Sequence, residues 1–130
     1  LEPIKSNESK VYEIAEGVST IDLPFNMTFD FVNDITKSSA DRAIYVDAEK
    51  LKFPLFVRRW QEGDYFYPLG MKGQKKKVSK YFKDEKMSLS EKQDIWLLVS
   101  NNQIIWVVGK RADERYKVTN KTTQILKIEV

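Results

Sequence analysis

Apolar and polar positions alternate over several short stretches of this chain. From Met27 to Val32, Met27, Phe29 and Phe31 fall on one side of a two-residue period and Thr28, Asp30 and Val32 on the other, which predicts a half-buried β-strand. The same period runs from Ile125 to Val130, with Leu126, Ile128 and Val130 opposed to Ile125, Lys127 and Glu129. Shorter apolar runs at Val11–Ile14, Val18–Leu23, Ala43–Val46, Phe53–Trp60 and Tyr116–Val118 also read as strands, with a turn over Asp47–Lys50. Two runs, Ile95–Val99 and Gln103–Val108, flank Ser100-Asn101-Asn102. Asparagine tolerates a left-handed backbone, so they read as a hairpin. The period changes once: Val78, Tyr81 and Phe82 stand at i, i+3 and i+4, one face of a helix, with Lys76, Lys77, Lys80 and Lys83 around its remainder. Ser88-Leu89-Ser90-Glu91 has the form of a capping box and predicts a second short helix. The expected fold is α+β, mostly β, with a sandwich-like or barrel-like sheet arrangement and two short helices. Residues 1–10 are polar and expected to fray. The polar stretch at 33–42 is the best candidate boundary, giving a β-rich segment or small lobe at 1–42 and a main domain at 43–130.

Composition narrows the functions open to such a fold. The chain has 130 residues, 42% hydrophobic and 12% aromatic, enough for a core and against disorder. No run approaches the roughly 18 apolar residues of a membrane helix, and no secretory signal pattern is present. Cysteine and histidine are both absent. A disulfide framework and a thiolate nucleophile are thereby excluded, and a zinc site would have only carboxylates to use. A metal-free, cofactor-free cytoplasmic module is the expectation. The chain begins at Leu1 rather than Met, which suggests a piece of a longer protein.

Charge is unevenly placed. Residues 1–57 carry a net −4, residues 58–86 a net +5 and residues 87–130 a net +2. The basic island coincides with residues 63–82, GDYFYPLGMKGQKKKVSKYF, where three glycines and a proline precede a lysine cluster. A solvated charged surface and an anion-binding face are both compatible with such an island. Arg58, Arg59, Lys72, Lys75, Lys76, Lys77 and Lys80 would supply phosphate partners at close spacing. Gly63, Pro68, Gly70, Gly73 and Gly109 would shape the loops, and Asp64 would pin its own by accepting backbone N–H bonds. A helix starting after the Gly-rich turn would add free N–H groups. Tyr65 and Tyr67 read equally well as base-stacking or packing residues, whereas core packing is favoured for Phe66. Trp60, Trp96 and Trp106 sit in apolar strands and read as core or partly buried supports. A second basic group, Lys110, Arg111, Arg115 and Lys117, is interrupted by Asp113 and Glu114. It reads either as a local ion-pair network or as Arg111 or Arg115 reaching the same ligand from a neighbouring loop. Catalysis is disfavoured. No GxxxxGK[ST] or GxSxG motif is present. Asp64, Asp84, Glu85, Asp113 and Glu114 lie among cations, where carboxylates more often serve as ion-pair or capping partners.

Two blocks carry a family resemblance. The first is Arg59, Gly63-Asp64, Pro68-Leu69-Gly70-Met71, Gly73 and Lys75-Lys76, followed by Val78–Phe82; the second runs from Ile105-Trp106-Val107 through Gly109, Arg111, Asp113 and Arg115 to Thr119. Together they resemble the C-terminal domain of the tRNA(Ile)-lysidine synthetases, over about half the chain. One departure is Lys92 and Ile95-Trp96-Leu97, where many members carry an Arg and a Pro. The resemblance implies a small β-rich fold similar to part of the phenylalanyl-tRNA synthetase β subunit. It implies a parent ligase that attaches lysine to the wobble cytidine of an isoleucine tRNA with a CAU anticodon, with ATP and lysine bound in an N-terminal catalytic domain outside this sequence. This chain would be the non-catalytic tRNA-binding end, gripping the acceptor stem. Its tRNA-binding residues would be Arg59, Lys72, Lys75, Lys76, Lys77, Lys80, Arg111 and Arg115. The alternative is a protein-interaction or homodimerisation module that docks on its own catalytic domain.

Overall fold

A computed structural model describes residues 10–35 and 42–130. The expectations for residues 1–9 and 36–41 lie outside the described residues. Eleven strands are described: β1 (Val11–Ile14), β2 (Thr20–Ile21), β3 (Met27–Val32), β4 (Ala43–Asp47), β5 (Leu55–Arg59), β6 (Tyr65–Phe66), β7 (Lys76–Lys77), β8 (Trp96–Ser100), β9 (Gln103–Val107), β10 (Arg111–Ala112) and β11 (Ile125–Glu129). Helices α1 (Val78–Asp84) and α2 (Leu89–Gln93) lie between β7 and β8, and single 3-10 turns occupy Ala48–Lys50 and Glu114–Tyr116.

The strands form a five-stranded antiparallel sheet in the order β1-β5-β8-β9-β10, a four-stranded sheet in the order β2-β3-β11-β4, and a two-stranded ribbon β6-β7. The fold is mostly β with two short helices, as the alternation predicted. Its three layers account for the two kinds of strand pattern. The four-stranded sheet contributes Met27, Phe29, Ile44, Val46, Leu126 and Ile128 to a core shared with Ile14, Leu55, Val57, Leu98, Ile105 and Trp106 of the five-stranded sheet. On the far side of that five-stranded sheet, Leu97, Val99, Ile104 and Val107 pack against Phe66 of the ribbon and Val78, Tyr81 and Phe82 of α1. Strands β8 and β9 are therefore covered on both faces and read as continuous apolar runs. Strands β3 and β11 are covered on one face and alternate. A register shift between Leu98 and Val99 leaves one extra residue in β9. This bulge sends the consecutive Ile105 and Trp106 into one core while Ile104 and Val107 enter the other.

Local signals were read correctly where a backbone group decides the outcome. Asn101 and Asn102 both take positive φ, 50° and 65°, as a two-residue hairpin turn requires. The capping box is complete: Ser88 Oγ accepts from Glu91 N, and Glu91 Oε1 accepts from Ser88 N. Three expectations are corrected. The strand expected over Val18–Leu23 shrinks to Thr20–Ile21, because the chain bends into Pro24, which has no N–H to donate to a ladder. The strand expected over Tyr116–Val118 is replaced by the 3-10 turn Glu114–Tyr116, capped by Asp113, and only an isolated bridge joins Lys117 to Val46. The division expected at residue 42 does not follow the sheets. Strand β1 pairs with β5, and β3 pairs with β11, so each large sheet takes strands from both sides of it.

Strand β11 closes the four-stranded sheet by pairing with both β3 and β4. Ile128 on it is fully buried, whereas Phe31 on β3 is 67% exposed. Ile128→Ala is expected to lower stability by about 2–5 kcal/mol and Phe31→Ala by less than about 0.5 kcal/mol. Urea titration at constant m-value measures both.

Candidate nucleic-acid interface

The site is built where the two motif blocks meet. The Gly/Pro loop leaves β6, makes two consecutive turns closed by Met71 N to Pro68 O and Gln74 N to Met71 O, and returns as β7. Gly70 and Gly73 hold φ of 87° and 78°, and Lys72 between them also has positive φ, 56°. A Cβ on either glycine would meet nothing within 4 Å, so these glycines serve the backbone path and not a close approach to a neighbour. The loop is tied to β10 and the turn after it. Leu69 N donates to Ala112 O, Glu114 N donates to Tyr67 O, and Pro68 bridges Asp113.

Asp113 is the knot of that tie, although it lies in what the sequence presents as an interruption of a basic run. Its side chain is fully covered. Oδ1 accepts from Arg115 N at 2.7 Å and Arg115 Nε at 3.0 Å; Oδ2 accepts from Tyr67 N at 2.9 Å and an Arg115 terminal nitrogen at 3.0 Å. Burial disfavours the Arg115 charge, but the hydrogen bonds and charge of Asp113 more than offset it and raise its pKa. Glu114 adds a second tie: Oε1 accepts from Gly70 N at 3.2 Å, and Oε2 pairs with Lys117 Nζ. Those hydrogen bonds, Lys117 first, lower the Glu114 pKa. At the other end of the ribbon, Arg58 forks onto Asp64 with two bonds of 2.9 Å, while Asp64 also accepts from Gln61 N at 2.6 Å. Asp64 thus pins its loop as expected, but it engages Arg58 in doing so.

The candidate cations divide by what they already hold. Arg59 lies 3.8 Å above the Trp96 ring and donates to Ile95 O at 3.3 Å. Its pKa is lowered by burial, against the pull of Asp94 and Tyr12. Arg115 is clamped by Asp113 and stacks at 4.4 Å on Tyr67. Arg111 donates to Leu69 O at 3.1 Å, which sets its guanidinium against the Gly/Pro loop with donors to spare. The local ion-pair reading of the second block therefore describes Arg115, whereas Arg111 is set against the neighbouring Gly/Pro loop.

The three consecutive lysines are split by strand alternation. Antiparallel pairing sets Tyr65 opposite Lys77 and Phe66 opposite Lys76, and opposed residues share a face. Lys76 accordingly turns inward with buried Phe66. It pairs with Asp84 at 2.5 Å, its side chain only 17% exposed, and this bond is the largest cause lowering the Asp84 pKa. Lys75 and Lys77 turn outward with Tyr65, and Lys75 Nζ sits 4.2 Å from the Tyr65 ring centre. Lys80 is exposed and 3.5 Å from Asp84. Among the described residues, Lys72, Lys75 and Lys77 are exposed and make no ion pair. The N–H groups expected at the start of α1 are reduced by Val78 N, which donates to Asp64 O. A two-residue alternation across Lys75–Lys77 was the signal that would have separated these lysines. Asp113, two residues before an arginine, was the signal for the fork.

Asp113→Ala leaves the Tyr67 N–H and the Arg115 guanidinium without their acceptor. It is expected to lower stability by about 2–3 kcal/mol and to speed hydrogen exchange at the Tyr67 amide, while Asp84→Ala, at a solvent-exposed carboxylate, should change stability much less.

Comparison with known proteins agrees with this geometry. The family model described as the TilS substrate C-terminal domain matches residues 55–129, which spans both motif blocks. The tRNA(Ile)-lysidine synthase of Parabacteroides distasonis is 42% identical over 127 residues, covering 94% of this chain and 28% of that protein. That of Clostridium tetani is 32% identical over 127 residues, covering 95% and 27%. The chain thus spans less than a third of the length of these relatives. The crystal structure of a TilS C-terminal domain superposes with a TM-score of 0.75 at 21% identity, covering 92% of this chain and 95% of that one. A tied pair of motif blocks, a matching family model that spans four strands of the five-stranded sheet, the ribbon, both helices and β11, and a shared fold have one reading: the chain belongs to the family of TilS substrate C-terminal domains.

Proposed function

We propose that this chain is the tRNA-binding end of a tRNA(Ile)-lysidine synthetase and grips the acceptor stem of a CAU-anticodon isoleucine tRNA. In this reading it carries no catalysis of its own. Lysine would be joined to the wobble cytidine, with ATP, in a catalytic domain that precedes it in a cytoplasmic parent enzyme. The observation that carries the proposal is a cluster of exposed lysines without carboxylate partners, Lys72, Lys75 and Lys77, on a loop and ribbon whose strand β6 is held on either side by an Arg–Asp fork. Ammonium groups on a rigid loop suit a phosphate backbone, since little order is gained at binding. A-form RNA hides its base edges in a deep, narrow groove, so phosphate and 2′-hydroxyl contacts carry most of the recognition. Lys80 and Arg111 flank this set and would join it, Lys80 by leaving Asp84 for a phosphate. Arg59, Arg115 and Lys76 act on the protein side, holding Trp96, Asp113 and Asp84.

A second reading, docking on the catalytic domain or on another copy of this chain, is favoured by β1, an edge strand of the five-stranded sheet, and by exposed Val11, Leu23 and Phe31. Gel filtration with and without tRNA separates the two: a self-dimer indifferent to RNA favours docking.

The lysine face predicts a specific salt dependence. Replacing Lys72, Lys75 and Lys77 together with Ala should weaken binding to an acceptor-stem minihelix and reduce the slope of log K against log[salt] by about one unit per lost phosphate contact. An anticodon-loop RNA of equal length should bind more weakly than the minihelix. Lys76→Ala should leave the slope in place. Unchanged affinity of the triple variant at both low and moderate salt would contradict the assignment.

A further inference from the structure

The outward face of the ribbon carries an aromatic row that the charge argument does not use. Tyr65 and Tyr67 stand two residues apart on the chain, so they share a face, and their rings meet edge to face at 6.2 Å and 78°. Phe66 between them is fully buried, whereas Tyr65 is 43% exposed. Cations stand at both ends of the row: Lys75 Nζ at 4.2 Å from the Tyr65 ring centre, and Arg115 at 4.4 Å from that of Tyr67. The row is rigid at its Tyr67 end, where Tyr67 N is bonded to Asp113 and Tyr67 O accepts from Glu114 N. Beside Tyr65 opens a cavity of about 70 Å³, lined in part by Gly63, Asn102, Gln103 and Arg115. The two hydrophobic cores are complete without Tyr65.

We propose that Tyr65, steadied by Tyr67, is a stacking platform for one unpaired nucleobase of a bound RNA, with Lys75 and Lys77 meeting its phosphates and the cavity beside Gly63 and Asn102 receiving its polar edge. The proposal rests on the RNA-binding reading above and adds an unpaired nucleotide beside the duplex as a second element recognised. A paired base has both faces occupied by its neighbours in the stack, so an exposed ring selects a nucleotide that has left it. Stacking of a base on an aromatic ring gains more than an exposed ammonium gains over the same ring. Lys75 therefore yields the ring and keeps its charge within reach of the nucleotide's backbone. Tyr65 faces the same way as Lys77 by strand register, so ring and charge address one strand of RNA.

The test compares two minihelices of identical duplex sequence, one blunt and one with a short single-stranded 3′ extension carrying 2-aminopurine at its first unpaired position. The chain should bind the extended RNA about tenfold more tightly and quench the 2-aminopurine. Tyr65→Ala and Tyr65→Leu should abolish both the preference and the quenching, and Tyr65→Phe should keep them. Equal affinity for the two RNAs, or a preference that survives in the Ala and Leu variants, overturns the platform. The acceptor-stem reading then still stands, provided the blunt duplex binds with the salt dependence described above. Failure to bind either RNA overturns both.

Discussion

The buried carboxylate of Asp113 holds this structure's two motif blocks together. It accepts four hydrogen bonds from two chain segments, one reaching Tyr67 at the base of the Gly/Pro loop and three from Arg115. A buried carboxylate is stable only when paired and fully bonded, and here the arginine fork and the backbone amides supply both conditions. The same contacts fix the start of the loop that carries Lys72 and Lys75. Asp64 repeats the arrangement with Arg58 at the other end of the ribbon. Two acidic residues, one in each basic block, thus set the position of the positive charge around the loop.

Beneath that surface, the three-layer arrangement explains why a two-residue ribbon can be rigid. The ribbon and α1 cover the five-stranded sheet through Phe66, Val78, Tyr81 and Phe82, all buried. Strand alternation then sends every second residue of the ribbon outward. Lys76 serves the fold through Asp84, and Lys75 and Lys77 are left for solvent or for a ligand. Positive charge in the sequence is therefore a poor measure of positive charge on offer. Of the eight arginines and lysines named from the sequence, Arg59, Arg115 and Lys76 are held by groups inside the domain.

Much of the fold was legible because short-range chemistry decides it. Asn101-Asn102 demanded a tight turn, Ser88 to Glu91 a cap, and Met27–Val32 a half-buried strand, and each needed only its own residues. The pairing partners of those strands were not legible. That β3 lies against β11, almost a hundred residues later, depends on complementary faces with no local mark, and so the sheets run through the division expected at residue 42. The bulge at Ile105 and the turn at Glu114–Tyr116 are likewise set by tertiary partners. In the candidate site, the glycine and proline positions announced the loop. The ion pair of Arg115 was one of two readings its neighbours left open, and the roles of Arg58 and Lys76 did not appear, because each depends on one carboxylate placed by the fold.

In the proposed function, the exposed lysines of the Gly/Pro loop and ribbon, and not the whole basic content of the chain, form the RNA-binding face. Amide chemical-shift mapping of this chain during titration with an acceptor-stem minihelix tests it most directly. Perturbations should concentrate at Lys72, Lys75, Lys77, Tyr65 and Arg111, with little change at Arg59, Trp96 and the four-stranded sheet. Perturbations centred on β1, β3 or the Arg59–Trp96 pair would contradict it.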